Sequence, residues 1–256
     1  MISINKKKLI RQLQTKKMRD SQSRFVAEGR KLVADLIAGG MRPNFIATVE
    51  GSDAMAGVAL PAGVECVQCT EAEMKEVSGL RTPSPVLAVF DKPDHSALAR
   101  RRPQSLALVL DEVQDPGNLG TIIRIADWFG IGLIVCSDTC ADAFGPKVVQ
   151  ATMGALARVA VVEVDLADYL KINAEQWHLP VCGTFLEGRS IYQAALPEAA
   201  LIVMGNEGNG ISPTVAQYVT DKLFIPSYPP GAATSESLNV ATATAVVCSE
   251  FRRRLQ

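Results

Sequence analysis

Between residues 105 and 225 the chain repeats one pattern six times: a short apolar run, then a polar or helix-patterned stretch. The runs are 106–110, 133–136, 159–162, 181–185, 201–204 and 223–225. They are too short for helices, and they are almost wholly apolar (Thr184 is the one polar residue in them) rather than alternating, so each reads as a strand covered on both faces. Helical or loop stretches lie near 118–129, 145–154, 165–173, 190–195 and 212–219. Ser212-Pro213 has the form of an N-cap followed by proline at the first helical position. Six buried strands with crossovers predict an α/β fold built on a six-stranded parallel sheet. A content of 48% hydrophobic but only 5% aromatic residues suits a sheet and helices packed through Val, Ile, Leu and Ala.

Ahead of this block, residues 1–90 predict a small α/β unit. Helical spacing covers 5–20 and 24–39, with Leu9 and Leu13, then Phe25, Leu32 and Leu36, as apolar positions, and Gly39-Gly40 ends the second helix. Strands are predicted at 44–49, 64–68 and 85–90. Thr70-Glu71-Ala72-Glu73 is a capping box opening a helix to about 78. Residues 91–104 (D-K-P-D-H-S-A-L-A-R-R-R-P-Q) are polar, hold two prolines and read as a linker to a second domain over 105–256.

Net charge is −1, which by itself argues against a nucleic-acid partner. Its distribution argues the other way. Residues 1–31 hold ten Lys/Arg against Asp20 and Glu28, a basic block that suits contact with phosphates, though a solvated helix face is the plain alternative. Six cysteines are spread along the chain, and Cys66-Val67-Gln68-Cys69 has a metal-like spacing. On a strand, however, a separation of three turns the two side chains to opposite faces, and a structural zinc site wants four convergent ligands. Free thiols and no metal are expected. No apolar run reaches the roughly 20 residues of a membrane span, and the basic N-terminus lacks a signal-peptide core. The expectation is a soluble cytoplasmic protein.

Three stretches carry candidate chemistry. After the last apolar run comes Pro226, then the loop S-Y-P-P-G, then Thr234-Ser235-Glu236-Ser237-Leu238-Asn239-Val240. There Ser235 and Ser237 offer N-cap hydroxyls to a helix over 238–251 with small residues at Ala241, Ala243 and Ala245. This places Glu236, Ser237 and Asn239 at the carboxyl edge of the sheet, where open α/β sheets bind ligands. The second stretch, L-D-E-V-Q-D-P-G-N-L-G-T-I-I-R-I-A, contains Asn118 and Arg124. The third is V-M-G-N-E-G-N-G-I, with Gly205, Asn206, Glu207, Gly208 and Gly210. The glycines let backbone approach a ligand closely. The stretch after the first strand lacks the G-x-G-x-x-G spacing of a dinucleotide site, which disfavours a nicotinamide oxidoreductase.

Taken in order, these three stretches resemble the signature motifs of the SpoU (TrmH-like) branch of the SPOUT RNA 2′-O-methyltransferases. The N-terminal K-x-x-R…R-F-V-A-E-G-R-K-L-V, closing in P-V-L-A-V-F, looks like the L30-type substrate-binding domain that precedes many such catalytic domains. The resemblance implies a deep trefoil knot, S-adenosyl-L-methionine as cofactor, a homodimer paired through the last helix and the first helix of the catalytic domain, and structured RNA as substrate, ribosomal rather than transfer RNA. It implies cofactor contacts at Thr184, Gly205, Asn206, Gly208, Ile225, Pro226 and Leu238. It implies catalytic or ribose-orienting roles for Asn118, Arg124, Glu207, Ser237 and Asn239. A guanidinium is not deprotonated in proteins, so Arg124 is expected to polarise the 2′-oxygen and grip phosphate rather than act as base. The stretch from Ile225 to Ser237 is longer than the compact I-P-M-x-G-x-x-x-S of many members, and Glu236 stands where a small residue is common. A non-catalytic RNA-binding protein that kept the fold is the competing reading.

Overall fold

The computed structural model of the protein describes every residue except Gly231, Ala232, Thr234 and Gln256. Two positions in the sequence reading, Gly231 of the proline loop and Thr234 at the head of the third stretch, therefore lie outside the described residues. The chain forms two compact units. One is Met1–Asp94 together with Asp142–Arg158; the other is His95–Ala141 together with Val159–Gln256.

The first unit begins with α1 (Ile4–Gln12) and α2 (Lys16–Gln22). A single helix was expected over 5–20, but the chain breaks between Leu13, which is fully buried, and Thr15 at the head of α2. A second expectation fails more fully. Residues 24–28 are not helical but form a strand, β1 (Arg24–Glu28). Ser23 takes a left-handed conformation (φ 48°) on one side, and Gly29 takes φ 112° on the other, so no helix can pass through either. The helix proper is α3 (Arg30–Ala38), after which Gly40 turns left-handed (φ 92°). Then come β2 (Pro43–Val49), β3 (Glu65–Cys69), α4 (Glu71–Val77) and β4 (Val86–Asp91). The Thr70–Glu73 capping box is formed in both directions. The strands make one sheet in the order β1-β4-β2-β3. On β3, Cys66 is exposed and Cys69 buried, as alternation requires. Phe25 stacks on Phe90 at 5.6 Å between ring centroids and meets Phe144 at 5.1 Å.

The second unit holds the repeated pattern. Its strands are β5 (Ala107–Leu110), β6 (Leu133–Ser137), β7 (Ala160–Val164), β8 (Val181–Ser190), β9 (Leu201–Met204) and β10 (Asp221–Phe224). They form the expected six-stranded parallel sheet, ordered β10-β8-β9-β5-β6-β7. The central strands β5 and β9 are buried at every position. Each such Val, Leu or Ile side chain contributes about 1.5–3 kcal/mol of burial, which explains why these runs carry no polar residue. The helices of the chain from here on are α5 (Pro116–Trp128), α6 (Pro146–Thr152, in the first unit), α7 (Leu166–Ile172), α8 (Pro213–Ala216) and α9 (Val240–Arg253). Residues 190–195, expected as helix or loop, end β8 and then turn. No helix among the described residues is long and apolar enough to cross a membrane.

Two features of this unit bear on the site. First, β8 leaves its partner strand midway: Lys222 faces Gly183, but the next residue, Leu223, faces Arg189. Residues 184–188 are thereby pushed out of the ladder. Second, α9 lies alongside α5, and the two are tied at both ends. At the far end, Arg252 donates to the carbonyls of Phe129 (2.8 Å) and Gly130 (3.1 Å), closing the end of α5.

Candidate active site

The starts of α5 and α9 lie together. Asp115 caps α5, its Oδ1 accepting from the Asn118 backbone N–H at 2.8 Å, with Pro116 at the first helical position. The cap of α9 is not Ser235 or Ser237, as the sequence suggested. It is Asn239, whose Oδ1 accepts from Ala241 N (3.0 Å) and Thr242 N (3.2 Å), so the helix starts at Val240. Serine and asparagine both cap well; Asn239 in addition reaches beyond its own helix. Its Nδ2 donates to Asn118 Oδ1 at 2.9 Å, and Asn118 Nδ2 donates to Glu207 Oε1 at 2.7 Å.

This chain of bonds has a fixed direction. The two helix N–H groups require the oxygen of Asn239 to point inward, which turns its NH₂ toward Asn118. Asn118 must then answer with its oxygen and present its own NH₂ to the Glu207 carboxylate. Asn118, Glu207 and Asn239 are thus joined from three separate stretches. Oε2 of Glu207 has no partner among the described residues. Ser237 is exposed and makes no hydrogen bond with them. Arg124 is exposed, has no hydrogen-bond or ion-pair partner among them, and lies six residues along α5 from Asn118, about 9 Å by helical rise.

The glycine stretch is a tight loop. Asn206 N donates to Gly210 O (2.9 Å) and Gly210 N to Asn206 O (3.0 Å). The Asn206 amide is used inside the protein: Oδ1 accepts from Gly208 N and Asn209 N, and Nδ2 donates to Glu112 O at 2.9 Å. A Cβ on Gly205 would stand 2.3 Å from the Gly210 carbonyl carbon, so only glycine closes the loop. Thr184 stands where β8 leaves the ladder, its Oγ1 donating to Val203 O at 3.2 Å. Asp111, buried at the end of β5, accepts from Ser212 N at 2.7 Å, while its own N–H donates to Met204 O.

Sequence reasoning did not find Asp111, Glu112, Ser137 or Cys140. Glu112 is left-handed (φ 58°), an uncommon state for a side chain of this kind. Its N–H donates to Ser137 Oγ at 3.0 Å. Cys140 lies beneath, accepting from Val113 N and donating to Leu110 O, both at 3.3 Å. The hydrogen bond from Cys136, helped by Ser137 and the Val113 N–H, brings the Cys140 thiol down to about 7 against its burial. Cys136 is pushed well up by the same bond and by burial. For Asp115 a signal was present, since Asp followed by Pro is a helix start; for the others no local pattern marks the role.

These residues fit a nucleoside-bearing cofactor. Strands β10 and β9 end just before Ile225-Pro226 and Gly205, and β8 between them leaves the ladder at Thr184, which places backbone carbonyls and N–H groups along one sheet edge. Ile225 and Pro226 are half-buried, and Leu238, an apolar side chain 49% exposed just ahead of α9, is left for something to cover. No group of three or more His, Cys, Asp or Glu among the described residues is placed to hold a metal ion.

Open α/β sheets bind ligands at their carboxyl edge, and here that edge carries a glycine loop and an amide–carboxylate junction. The chain belongs to the SpoU rRNA Methylase family, whose model matches residues 105–249. Residues 5–88 match the MRM3-like substrate binding domain. A 23S rRNA (guanosine(2553)-2′-O)-methyltransferase of Bacillus subtilis is 32% identical over 246 residues, 94% of each chain. Among solved structures, a putative RNA methyltransferase of the TrmH family from Porphyromonas gingivalis is 42% identical, with TM-score 0.86 over 99% of both chains. An AdoMet-bound rRNA methyltransferase from Sinorhizobium meliloti is 29% identical, with TM-score 0.84 over 100% of this chain and 98% of that one.

Proposed function

We infer that the protein is an S-adenosyl-L-methionine-dependent methyltransferase acting on a ribose 2′-hydroxyl of structured RNA, ribosomal RNA rather than transfer RNA. The relatives' names support the substrate class, and the AdoMet-bound neighbour supports the cofactor. In this reading residues 1–90 bind substrate, 91–104 link, and 105–256 form the catalytic domain. The knot implied by the family resemblance and a cytoplasmic setting belong to the same reading.

The observation that carries it is the Asn118–Glu207–Asn239 junction. S-adenosylmethionine, when bound, supplies a methyl group on a sulfonium, ready for transfer to oxygen. What the chain must add is alignment and charge control. Main-chain groups at Gly205, Gly208, Ile225 and Leu238, with Pro226 and Thr184 beside them, hold the nucleoside and the methionine moiety. Asn206 acts on this pocket through its loop rather than by its own amide. Asn118 and Asn239 fix the three loops against one another, so the site needs no reorganisation when charge develops. Glu207 keeps one carboxylate oxygen to accept a hydrogen bond from a ribose hydroxyl. Arg124 supplies guanidinium donors to the 2′-oxygen as its proton passes to solvent water, and to a neighbouring phosphate. Ser237, exposed at the mouth of the site, orients the ribose.

Arg124 lies about 1.7 turns along α5 from Asn118 in the same chain. Thr121, Arg124 and Trp128 form one exposed stripe of that helix, and Trp128 is 85% exposed. We therefore read the enzyme as a homodimer in which this stripe meets a second copy and Arg124 serves a site completed across the interface. The test is transfer of labelled methyl from S-adenosylmethionine to ribosomal RNA, with mass mapping of the product ribose. Arg124→Ala and Asn118→Ala, each inactive alone, should regain activity when mixed and allowed to exchange subunits. Absence of transfer by the wild type sinks the function; absence of complementation sinks the shared site.

A further inference from the structure

We propose that Ser137, at the end of β6 and outside all three motif stretches, is a positioning residue for the cofactor loop. It acts by holding Glu112 in its left-handed turn. The linkage is continuous. Ser137 Oγ accepts from Glu112 N at 3.0 Å, the Glu112 carbonyl accepts from Asn206 Nδ2 at 2.9 Å, and Asn206 Oδ1 gathers the N–H groups of Gly208 and Asn209 at 2.8 and 3.0 Å. The ends of three neighbouring strands, β6, β5 and β9, are thereby connected.

Glu112 is the strained member. A glutamate at φ 58° relaxes to ordinary backbone geometry unless its neighbours hold it. Relaxation would swing its carbonyl away from Asn206 and release the loop. Ser137 is well placed to prevent this, because it is itself buried (8% exposed) and braced. Thr139 Oγ1 lies 2.9 Å from its hydroxyl and Cys140 Sγ 3.4 Å, while Cys140 is fixed by Val113 N and Leu110 O. The role is a hydrogen-bond acceptor of fixed position, which alanine cannot supply.

The proposal rests on the reading that loop 205–210 borders the S-adenosylmethionine pocket, so its test has one arm that needs no cofactor. In the free protein, Ser137→Ala should speed amide hydrogen exchange at 206–210 at least several-fold, leaving β7 unchanged. Calorimetry should show S-adenosylmethionine binding about tenfold more weakly, as for loss of one buried hydrogen bond. Its KM should rise similarly, while kcat at saturating cofactor stays within about twofold. Glu112→Asn in the Ser137→Ala background should restore most of the affinity, because asparagine tolerates the left-handed state that glutamate resists. A generally weakened fold would not be rescued this way. Unchanged exchange at 206–210 in Ser137→Ala, or equal affinity in the single and double variants, overturns the proposal. Failure of the wild type to bind S-adenosylmethionine overturns the assigned function instead, and the exchange arm still decides the linkage.

Discussion

The cations at the two ends of the chain differ from Arg124 in one respect: most of them already have partners. In residues 1–31, Lys6 pairs with Glu65, Lys7 with Glu73 and Glu76, Arg11 with Glu76, Arg19 with Asp142 and Arg24 with Asp91. Arg30 donates to the carbonyls of Asp53 and Ala56. At the C-terminus, Arg253 and Arg254 hold Glu250, Arg254 also reaches the carbonyls of Ala194 and Ile191, and Arg252 closes α5. Arg124 has no such partner among the described residues. A dense basic segment is therefore a poor guide to function until its pairings are counted. Much of the block that reads as a phosphate-binding arm holds the first unit together, and Lys8, Lys17 and Lys31 are the members without a partner among the described residues.

Arg19 is the strongest test of the structural side. It is 4% exposed, bonded to Asp142 at 2.6 Å and to the Leu13 carbonyl at 2.7 Å. Arg19→Ala leaves Asp142 largely buried and unpaired, and should cost about 3–5 kcal/mol of stability in denaturant unfolding. A loss under about 1 kcal/mol would break the contrast, since exposed pairs reach that value anyway. Arg124→Ala should behave oppositely. Activity should fall at least ~10²-fold, as on removal of a donor to developing charge. Stability should hold within about 0.5 kcal/mol, and S-adenosylmethionine affinity should barely change. Near-wild-type turnover would return Arg124 to the ordinary surface.

Glu250 sharpens the comparison through pH. Hydrogen bonds from Arg253, then Arg254, hold its carboxyl down from 4.5 to about 2. A depressed folded-state value means that the stabilisation is complete above the unfolded value and lost as pH falls through the folded one. Glu250→Gln should cost about 1–2 kcal/mol at pH 7, the low end because Arg253 is largely solvated. The gap to wild type should shrink below pH 4.5 and close near pH 2; a gap independent of pH would show that packing, not charge, is at work. The smallest effect is expected for Lys8, Lys17 and Lys31. Replacing all three with alanine should leave melting unchanged but reduce the salt slope of RNA binding by about 0.7–0.9 for each phosphate no longer neutralised. An unchanged slope would leave exposed Arg100 and Arg101 as the next candidates.

The parallel sheet was legible because central strands must be apolar at every position, and six such runs admit few arrangements. β1 was not. Phe25, Leu32 and Leu36 fall at helical spacing by coincidence of a strand and a helix set end to end, and only the backbone angles of Ser23 and Gly29 separate them. The order of the site was legible in part. Asn118 and Asn239 stood out as polar residues at helix starts, and Glu207 as a charged residue within a glycine loop, all inside a family-like pattern. Which of three cap-forming residues would start α9 was undecidable locally, since the choice depends on Asn118, 121 positions away. Ser137 and Glu112 left no trace at all, because a left-handed glutamate is selected by its surroundings and not by its own preference.

The head-to-tail order of the two asparagine amides has a consequence for chemical ageing. Hydrolysis of Asn239 to aspartate would alter the shape of the side chain hardly at all and would preserve the start of α9, since a carboxylate caps a helix as well as an amide does. Yet the new oxygen would face the oxygen of Asn118, and relief would come by Asn118 rotating its own amide, which turns oxygen toward Glu207. A molecule that has lost one ammonia would keep the start of α9 while the Asn118–Glu207–Asn239 junction carried a repulsion where a bond had been.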